Sequence, residues 1–411
     1  MPAEHGFDAY CDVKFQPAEG DYARWGHTPR PFAQTGNQAD PSLPDWRGAP
    51  GSDTYYSFYV GALPTDGDDL YCDPDWAVIL GALDLIRSYD GERPLCLYLP
   101  LMFPHPPYAV EERWRGLIDR SLLPPRPPRP VDWDSKPSIL GQLHRRFGLG
   151  DWEESRWDEL RATYYGMCTR VDHQLGLLIE ALRAAGMWDD TALLFFSDHG
   201  DFTGDYDLVE KTQNTFEDAL VRVPFLLKPP RSPAPAQGRI SSALIELVDV
   251  AATLHDLAGV DPGYTHFGRS LLPIAAGEAT AHSDAVFCEG GRRRGETHAM
   301  ERGANEHPDG LYWPRVGLQL RDDAPYHSKA VMCRTADHKY VHRLYERDEL
   351  YDLRSDPAEL RNLIDDPRHA PLVAELRQRL LTLFLDTADA VPHDLDAVEW
   401  SCLFGPTTTA V

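Results

Sequence analysis

The chain has 411 residues, 42% of them hydrophobic and 26% charged, with 40 basic against 65 acidic side chains and a formal charge of −25. At roughly 150 residues per domain this is two domains, or one large domain with an appendage, and the balance excludes wholesale disorder, a collagen-like repeat and a coiled coil. So acidic a chain is repelled by phosphate backbones and anionic bilayers, so neither nucleic acid nor a membrane is an expected partner.

The seven cysteines (Cys11, Cys72, Cys96, Cys168, Cys288, Cys333 and Cys402) stand singly with no CxxC pair, a pattern of buried reduced thiols and not of a zinc ribbon or a disulfide framework. Met1-Pro-Ala-Glu-His-Gly-Phe-Asp8 has neither a basic nor an apolar leader region, and no window approaches ~18 apolar residues. As written, the sequence is that of a cytoplasmic chain.

Residues 1–70 are rich in Gly, Pro, Asp and Tyr and read as loops and short pieces. From Asp75, Trp76, Ile79, Leu80, Leu83 and Ile86 recur at helical spacing, and after the break at Asp90-Gly-Glu-Arg-Pro94 the run Leu95–Leu99 predicts a buried strand. Pro104-His-Pro-Pro-Tyr108 follows, so His105 is predicted on a stiff loop beyond a strand's C-terminal end, where function commonly resides. Leu123-Pro-Pro-Arg-Pro-Pro-Arg-Pro130 is a polyproline-like connector. Leu160, Tyr164, Met167, Val171, Leu175, Leu178 and Leu182 predict a long amphipathic helix within 157–187. Thr191–Phe196 then predicts a strand that runs into Ser197-Asp-His-Gly200, and Val221–Leu227 another strand, with a helix over 245–257 ending near Gly259. This α/β unit occupies residues 1–275. In residues 276–411 the alternating segments at 331–335, 339–345 and 349–353 and a helix over about 370–385 predict a smaller antiparallel sheet with one packed helix.

Asp198 and His199 sit where open α/β sheets collect ligands, and an adjacent carboxylate and imidazole can reach one divalent cation if the chain turns sharply, as Gly200 permits. Taken alone, the same pair reads equally as a helix cap beside a partly buried histidine. Lys211, one of six lysines, offers a compact positive charge for a sulfate or phosphate oxyanion; by its neighbours alone it reads as a solvated lysine paired with Glu210 or Glu217.

Together these segments resemble the sulfatase family of the alkaline-phosphatase superfamily. The resemblance is carried, in the family's order, by His5-Gly-Phe-Asp8, Pro104-His-Pro-Pro-Tyr108, Arg170-Val-Asp-His-Gln-Leu-Gly176, Phe196-Ser-Asp-His-Gly-Asp201 with Gly204-Asp205, Lys211 with Phe216-Glu217 and Arg222-Val-Pro224, and Glu349-Leu-Tyr-Asp-Leu353 with Asp356-Pro357 and Asn362-Leu363. It implies a mostly parallel, helix-flanked α/β sheet with a smaller C-terminal antiparallel sheet and helix, and sulfate-ester hydrolysis. It further implies Asp198 and His199 as metal ligands, usually for Ca²⁺ with Mg²⁺ or Mn²⁺ as alternatives, and His105 and Lys211 as catalytic, sulfate-binding groups.

The family's nucleophile is a formylglycine made from Cys or Ser in a Cys/Ser-x-Pro-x-Arg motif, and this chain lacks it: Cys72-Asp-Pro-Asp-Trp76 and Ser42-Leu-Pro-Asp-Trp46 both carry Trp where Arg is required. The first-strand aspartate pair and the Lys-x-His segment are absent too, since Asp68-Asp69 lies in a Gly-Asp loop. Because His5-Gly-Phe-Asp8 resembles a segment downstream of these motifs, the resemblance implies an N-terminally truncated member: a misassigned start, a split enzyme completed by another chain, or a remnant without catalysis. Missing strands would expose apolar surface on Leu95–Leu99 and Thr191–Phe196 and make the isolated chain poorly soluble.

The expected partner is a small-molecule or carbohydrate sulfate ester, with a complementing chain or a homo-oligomer as further expectations. A phosphonate or phosphate monoester hydrolase and a non-catalytic binding protein are the competing readings. Glu289, Arg292, Arg293, Arg294 and His298 read either as a substrate pocket or as a solvated charged loop, and Tyr312, Trp313 and Tyr326 either as stacking platforms or as packing.

Overall fold

The computed structural model describes residues 24–30, 46–65, 69–231, 238–296 and 309–388. His5-Gly-Phe-Asp8, Ser42, Asp68 and His298 therefore lie outside the described residues. The first strand, β1 (Tyr59–Leu63), falls in the region read from sequence as loops. It is five residues long with Gly61 in its middle, and only its partner makes it a strand.

Helix α1 (Pro74–Ser88) begins where the sequence places it. Asp73 accepts from the Trp76 amide at 3.2 Å as N-cap, and Pro74 takes the first turn, where a missing N–H is harmless. Strand β2 (Tyr108–Glu111) starts directly after the proline-rich turn and runs parallel to β1. Helix α2 (Glu154–Ala184) carries the predicted apolar stripe and packs Leu178 and Leu182 against Trp76, Ile79, Leu83 and Ile86 of α1. Among the described residues no helix is long and apolar enough to cross a membrane.

The mostly parallel sheet expected from sequence is not formed among the described residues. Strand β3 (Leu193–Phe196) pairs only with β4 (Phe225–Lys228), and antiparallel. Strand β4 starts later than expected because Pro224 has no amide to give a ladder. Residues 95–99 run extended but make no hydrogen bond to any described residue. Leu95, Leu97 and Leu99 pack on the α1–α2 layer, whereas Cys96 and Tyr98, 68% exposed, point away. An apolar run is buried on both faces only where layers cover both sides, and here one side is covered. On β3–β4, Phe196 is 39% and Leu226 54% exposed; opposed to Phe225 and Phe195 respectively, they lie on opposite faces of the pair.

Helix α3 (Val248–Ala258) ends at Gly259, whose φ of 65° is the left-handed stop that the sequence suggests. The last sheet is antiparallel in the order β5 (Val286–Gly290), β6 (Ala330–Arg334), β7 (His338–Arg343), β8 (Glu349–Asp352), with β5 a strand that the sequence reading passed over. Between β5 and β6 lies α4 (Trp313–Gln319), and α5 (Ala370–Asp386) covers one face of the sheet through Val373, Leu376 and Leu380.

Buried ions tie this sheet to the segment that follows Lys211. Lys339 Nζ donates to the Phe216 carbonyl at 2.6 Å, to Asp218 at 2.7 Å and to both Glu359 oxygens at 2.9 Å. Arg343 donates to the Asn214 carbonyl at 2.7 Å, and Lys136 Nζ lies 3.3 Å from Glu217. Lys339→Met would strand the Glu359 carboxylate without its cation, and urea unfolding is expected to show a loss of about 3–5 kcal/mol. The double change Lys339→Met with Glu359→Leu should recover part of that loss; with Glu359→Leu measured alone, single losses that simply add in the double change would show that the pair is not coupled.

Candidate active site

His105 is held by the turn that leaves the 95–103 segment, and that turn hangs from a buried carboxylate. Asp75 accepts from the Met102 amide at 2.9 and 3.0 Å and from the Phe103 amide at 2.9 Å, and the His105 amide closes on the Met102 carbonyl at 2.8 Å. Beside it Arg170 lies 3.9 Å from the Phe103 ring and donates to Asp73 at 2.5 Å. Burial pushes the Asp73 carboxyl up to about 7 against the pull of Arg170. The segment Cys72-Asp-Pro-Asp-Trp76, the nearest sequence approach to a nucleophile motif, is thus a buried helix cap and loop anchor.

The His105 imidazole has a defined tautomer. Its Nδ1 lies 2.6 Å from the Pro106 carbonyl, which can only accept, so Nδ1 carries the proton and Nε2 accepts from Lys211 Nζ at 2.9 Å. Burial first and then the Lys211 charge lower its pKa to about 4, so the ring is neutral at pH 7.

Asp198 and His199 close β3. A Cβ on residue 200 would sit 1.9 Å from the Ala219 carbonyl, and the Gly200 amide donates to the Leu220 carbonyl at 2.7 Å, so only glycine lets the chain turn here. The His199 amide donates to Asp198 Oδ1 at 2.9 Å, and no helix starts at this point, which rules out the helix-cap reading. His199 Nδ1 lies 2.8 Å from the Gly200 carbonyl, leaving the Nε2 lone pair free 3.7 Å from Asp198 Oδ1. A carboxylate oxygen and an imidazole lone pair at that separation fit two positions around one divalent cation. Among the described residues no set of three or more His, Cys, Asp or Glu side chains has metal-binding geometry.

The four predicted residues come together. The His105 and His199 ring centroids are 6.3 Å apart, and Lys211 touches His105. Lys211 also pairs with Glu210 at 3.0 Å and its side chain is 17% exposed, so the pairing read from sequence is present but the lysine is not solvated. Sequence reasoning missed two supporting groups, Tyr108 and Arg315, and left Tyr312 open between stacking and packing. Tyr108 donates to Asp201 at 2.6 Å and accepts from the Glu210 amide at 2.9 Å; Arg315 of α4 holds Glu210 at 2.9 Å; Tyr312 stands with its ring centroid 6.3 Å from His105. Tyr108 lay within a quoted motif, but nothing local marks Arg315, which is 105 residues from its partner.

The charged residues are ion-paired but do not all form a solvated loop, since Glu289 lies on β5 and Arg292 is buried. Arg292 pairs with Asp322 at 2.6 Å, Arg293 with Glu296, Arg294 lies over Tyr345, and Glu289 pairs with Lys329 at 3.0 Å. The crevice that Arg292 and Arg294 line with His327 holds about 10 Å³, room for about one water. Tyr326 and Tyr312 pack partly buried on the main core.

Comparison with known proteins identifies the class. The sulfatase family model matches residues 31–260, and the chain belongs to the sulfatase family. It is 28% identical over 329 residues to the multifunctional alkaline phosphatase superfamily protein PehA of Trinickia caryophylli, covering 75% of this chain and 59% of that protein. It is 29% identical over 327 residues to the choline-sulfatase of Rhizobium meliloti (strain 1021), covering 77% of this chain and 56% of that protein. The chain thus spans less than two thirds of the length of these relatives. In fold it is similar to the phosphonate monoester hydrolase SpPMH from Silicibacter pomeroyi, with a TM-score of 0.60 and 24% identity over 77% of this chain and 61% of that one.

An imidazole whose folded pKa of about 4 lies below its ordinary 6.5 binds fewer protons folded than unfolded. Its contribution is neutral above pH 6.5 and destabilising as pH falls toward 4, by up to about 1.4 kcal/mol per unit. His105→Asn is therefore expected to shallow the loss of urea-unfolding stability between these pH values; an unchanged acid limb would mean that the ring is charged in the fold.

Proposed function

We propose that this protein is the metal-binding, anion-gripping part of a sulfuric-ester hydrolase. The observation that carries the reading is the contact of Lys211 Nζ with His105 Nε2 beside the Asp198–His199 pair. Lys211, with its side chain 17% exposed, meets a non-bridging sulfate oxygen as a charge-assisted donor. His105, neutral and locked by the Pro106 carbonyl, shares a Lys211 proton at the place where charge develops on the leaving oxygen. Asp198 and His199 Nε2 hold the cation, Ca²⁺ by family resemblance with Mg²⁺ or Mn²⁺ as alternatives, which supplies Lewis-acid stabilisation of that charge when bound.

The formylglycine nucleophile is taken, on this reading, from polypeptide that pairs with the open edges of residues 95–99 and β3. Both edges lead into the site, at His105 and at Asp198–His199, and both are unpaired among the described residues. The substrate is a small-molecule or carbohydrate sulfate ester. Phosphonate or phosphate monoester hydrolysis uses the same groups, because those substrates also present a tetrahedral anion, and relative turnover separates the two.

The test is hydrolysis of 4-nitrophenyl sulfate and of a phenylphosphonate monoester in Ca²⁺ buffer. One arm uses the 411-residue chain, and the other uses the chain joined to any in-frame upstream segment carrying Cys/Ser-x-Pro-x-Arg. The joined form is expected to favour sulfate, with Lys211→Ala lowering kcat/KM by about 10²-fold. Phosphonate preference would sink the sulfatase assignment, and the absence of turnover in both forms would leave a binding protein. The chain alone is expected to bind a hydrophobic dye at its open face, and Tyr98→Ser with Leu226→Ser to reduce that binding. Dye binding that the double change leaves untouched would show that the apolar face is covered.

A further inference from the structure

Lys211 does not stand alone, and the group behind it comes from outside the α/β unit. Glu210 is 1% exposed and pinned at every polar end: its amide donates to Tyr108 Oη, its carbonyl accepts from the Phe202 amide at 3.0 Å, and its carboxylate is shared. Oε1 lies 3.0 Å from Lys211 Nζ, and Oε2 accepts from Arg315 Nε at 2.9 Å, with Nη2 reaching Oε1 at 3.4 Å. The backbone at Glu210 has a φ of 63°, a left-handed conformation that is uncommon for a non-glycine residue. It sends consecutive side chains of the same turn into one contact. Arg315 is itself 3% exposed and braced by Gln319 Oε1 at 3.1 Å.

We propose that Arg315 is a positioning residue for the anion-binding lysine, acting through Glu210. The charge count explains why two cations share one carboxylate. Lys211 and Arg315 against Glu210 leave one net positive charge, and with His105 neutral that charge faces the cleft. A carboxylate serving Lys211 alone would cancel the ammonium and draw Nζ off His105 Nε2. With Arg315 on Oε2, Glu210 fixes the lysine without neutralising the trio. The segment after residue 276 therefore supports the lysine from behind, through Arg315 on Glu210, and this inference rests on reading Lys211 as the anion-binding group.

The experiment uses the 411-residue chain, nitrogen-15 labelled, with the wild type, Arg315→Met, Arg315→Lys and, as a surface control, Arg321→Met, which removes a charge paired with Asp323 instead of Glu210. The first readout needs no ligand: the His105 Nε2 resonance reports whether it still accepts from Lys211. Arg315→Met is expected to move it toward a nitrogen free of hydrogen bonding, Arg315→Lys to restore most of the wild-type position, and Arg321→Met to leave it in place. The second readout is titration with inorganic sulfate, where Arg315→Met is expected to weaken binding by about tenfold and Arg315→Lys by less. An unmoved His105 signal in a variant with wild-type near-ultraviolet circular dichroism would overturn the proposal, and so would an equal shift in Arg321→Met. If Arg315→Met does not fold, Arg315→Gln is read in the same way. Wild-type protein that ignores sulfate while Arg315→Met still displaces the His105 signal would refute the functional reading and leave the positioning role standing.

Discussion

The short stretch from Glu210 to Asp218 is held by buried cations from elsewhere in the chain, and the rest of the molecule is arranged around that constraint. Arg315 holds Glu210, Arg343 the Asn214 carbonyl, Lys136 Glu217, and Lys339 the Phe216 carbonyl and Asp218. Lys136 is further enclosed by the rings of Tyr206 and Tyr351 at 4.8 and 4.9 Å. Buried pairs of this kind add little net stability over apolar packing, but removal of one member leaves a naked charge. They therefore specify where the segment lies more than they strengthen the fold, and Lys211 inherits its position from them.

That arrangement divides what could be read from sequence from what could not. Helices α1 and α2 were legible because their apolar residues repeat every three or four positions over several turns. Strands β1 and β5 were not, being five residues each and strands only by virtue of their partners. The apolar run at 95–99 was legible as extended chain but not as one-sided, since covering layers are a tertiary property. Within the site, His105, Asp198, His199 and Lys211 were found because each sits in a short motif at a strand end or nearby. Arg315 was invisible, since its role depends on a contact that joins two distant parts of the chain. Glu210 was noticed only as the lysine's alternative partner, and it proves to be both its partner and its support.

Residues 95–99 and the β3–β4 pair carry the exposed apolar side chains Tyr98, Phe196 and Leu226. The leucines at 95, 97 and 99 are satisfied by helices on one side, while the opposite side and the ladder groups have no partner among the described residues. Both segments deliver their functional residues at the end nearest the cleft.

The two histidines share a device: each gives its Nδ1 proton to the backbone carbonyl of the very next residue, His105 to Pro106 and His199 to Gly200. A half-turn of either ring would put Cδ2–H where Nδ1–H now donates and forfeit that hydrogen bond, so both rings are held in one orientation. The site therefore presents one bare nitrogen lone pair, on His199 Nε2, beside a His105 Nε2 already capped by the Lys211 ammonium. To an incoming molecule that is one open acceptor beside an ammonium with two N–H groups committed, to His105 and Glu210, and one left to donate.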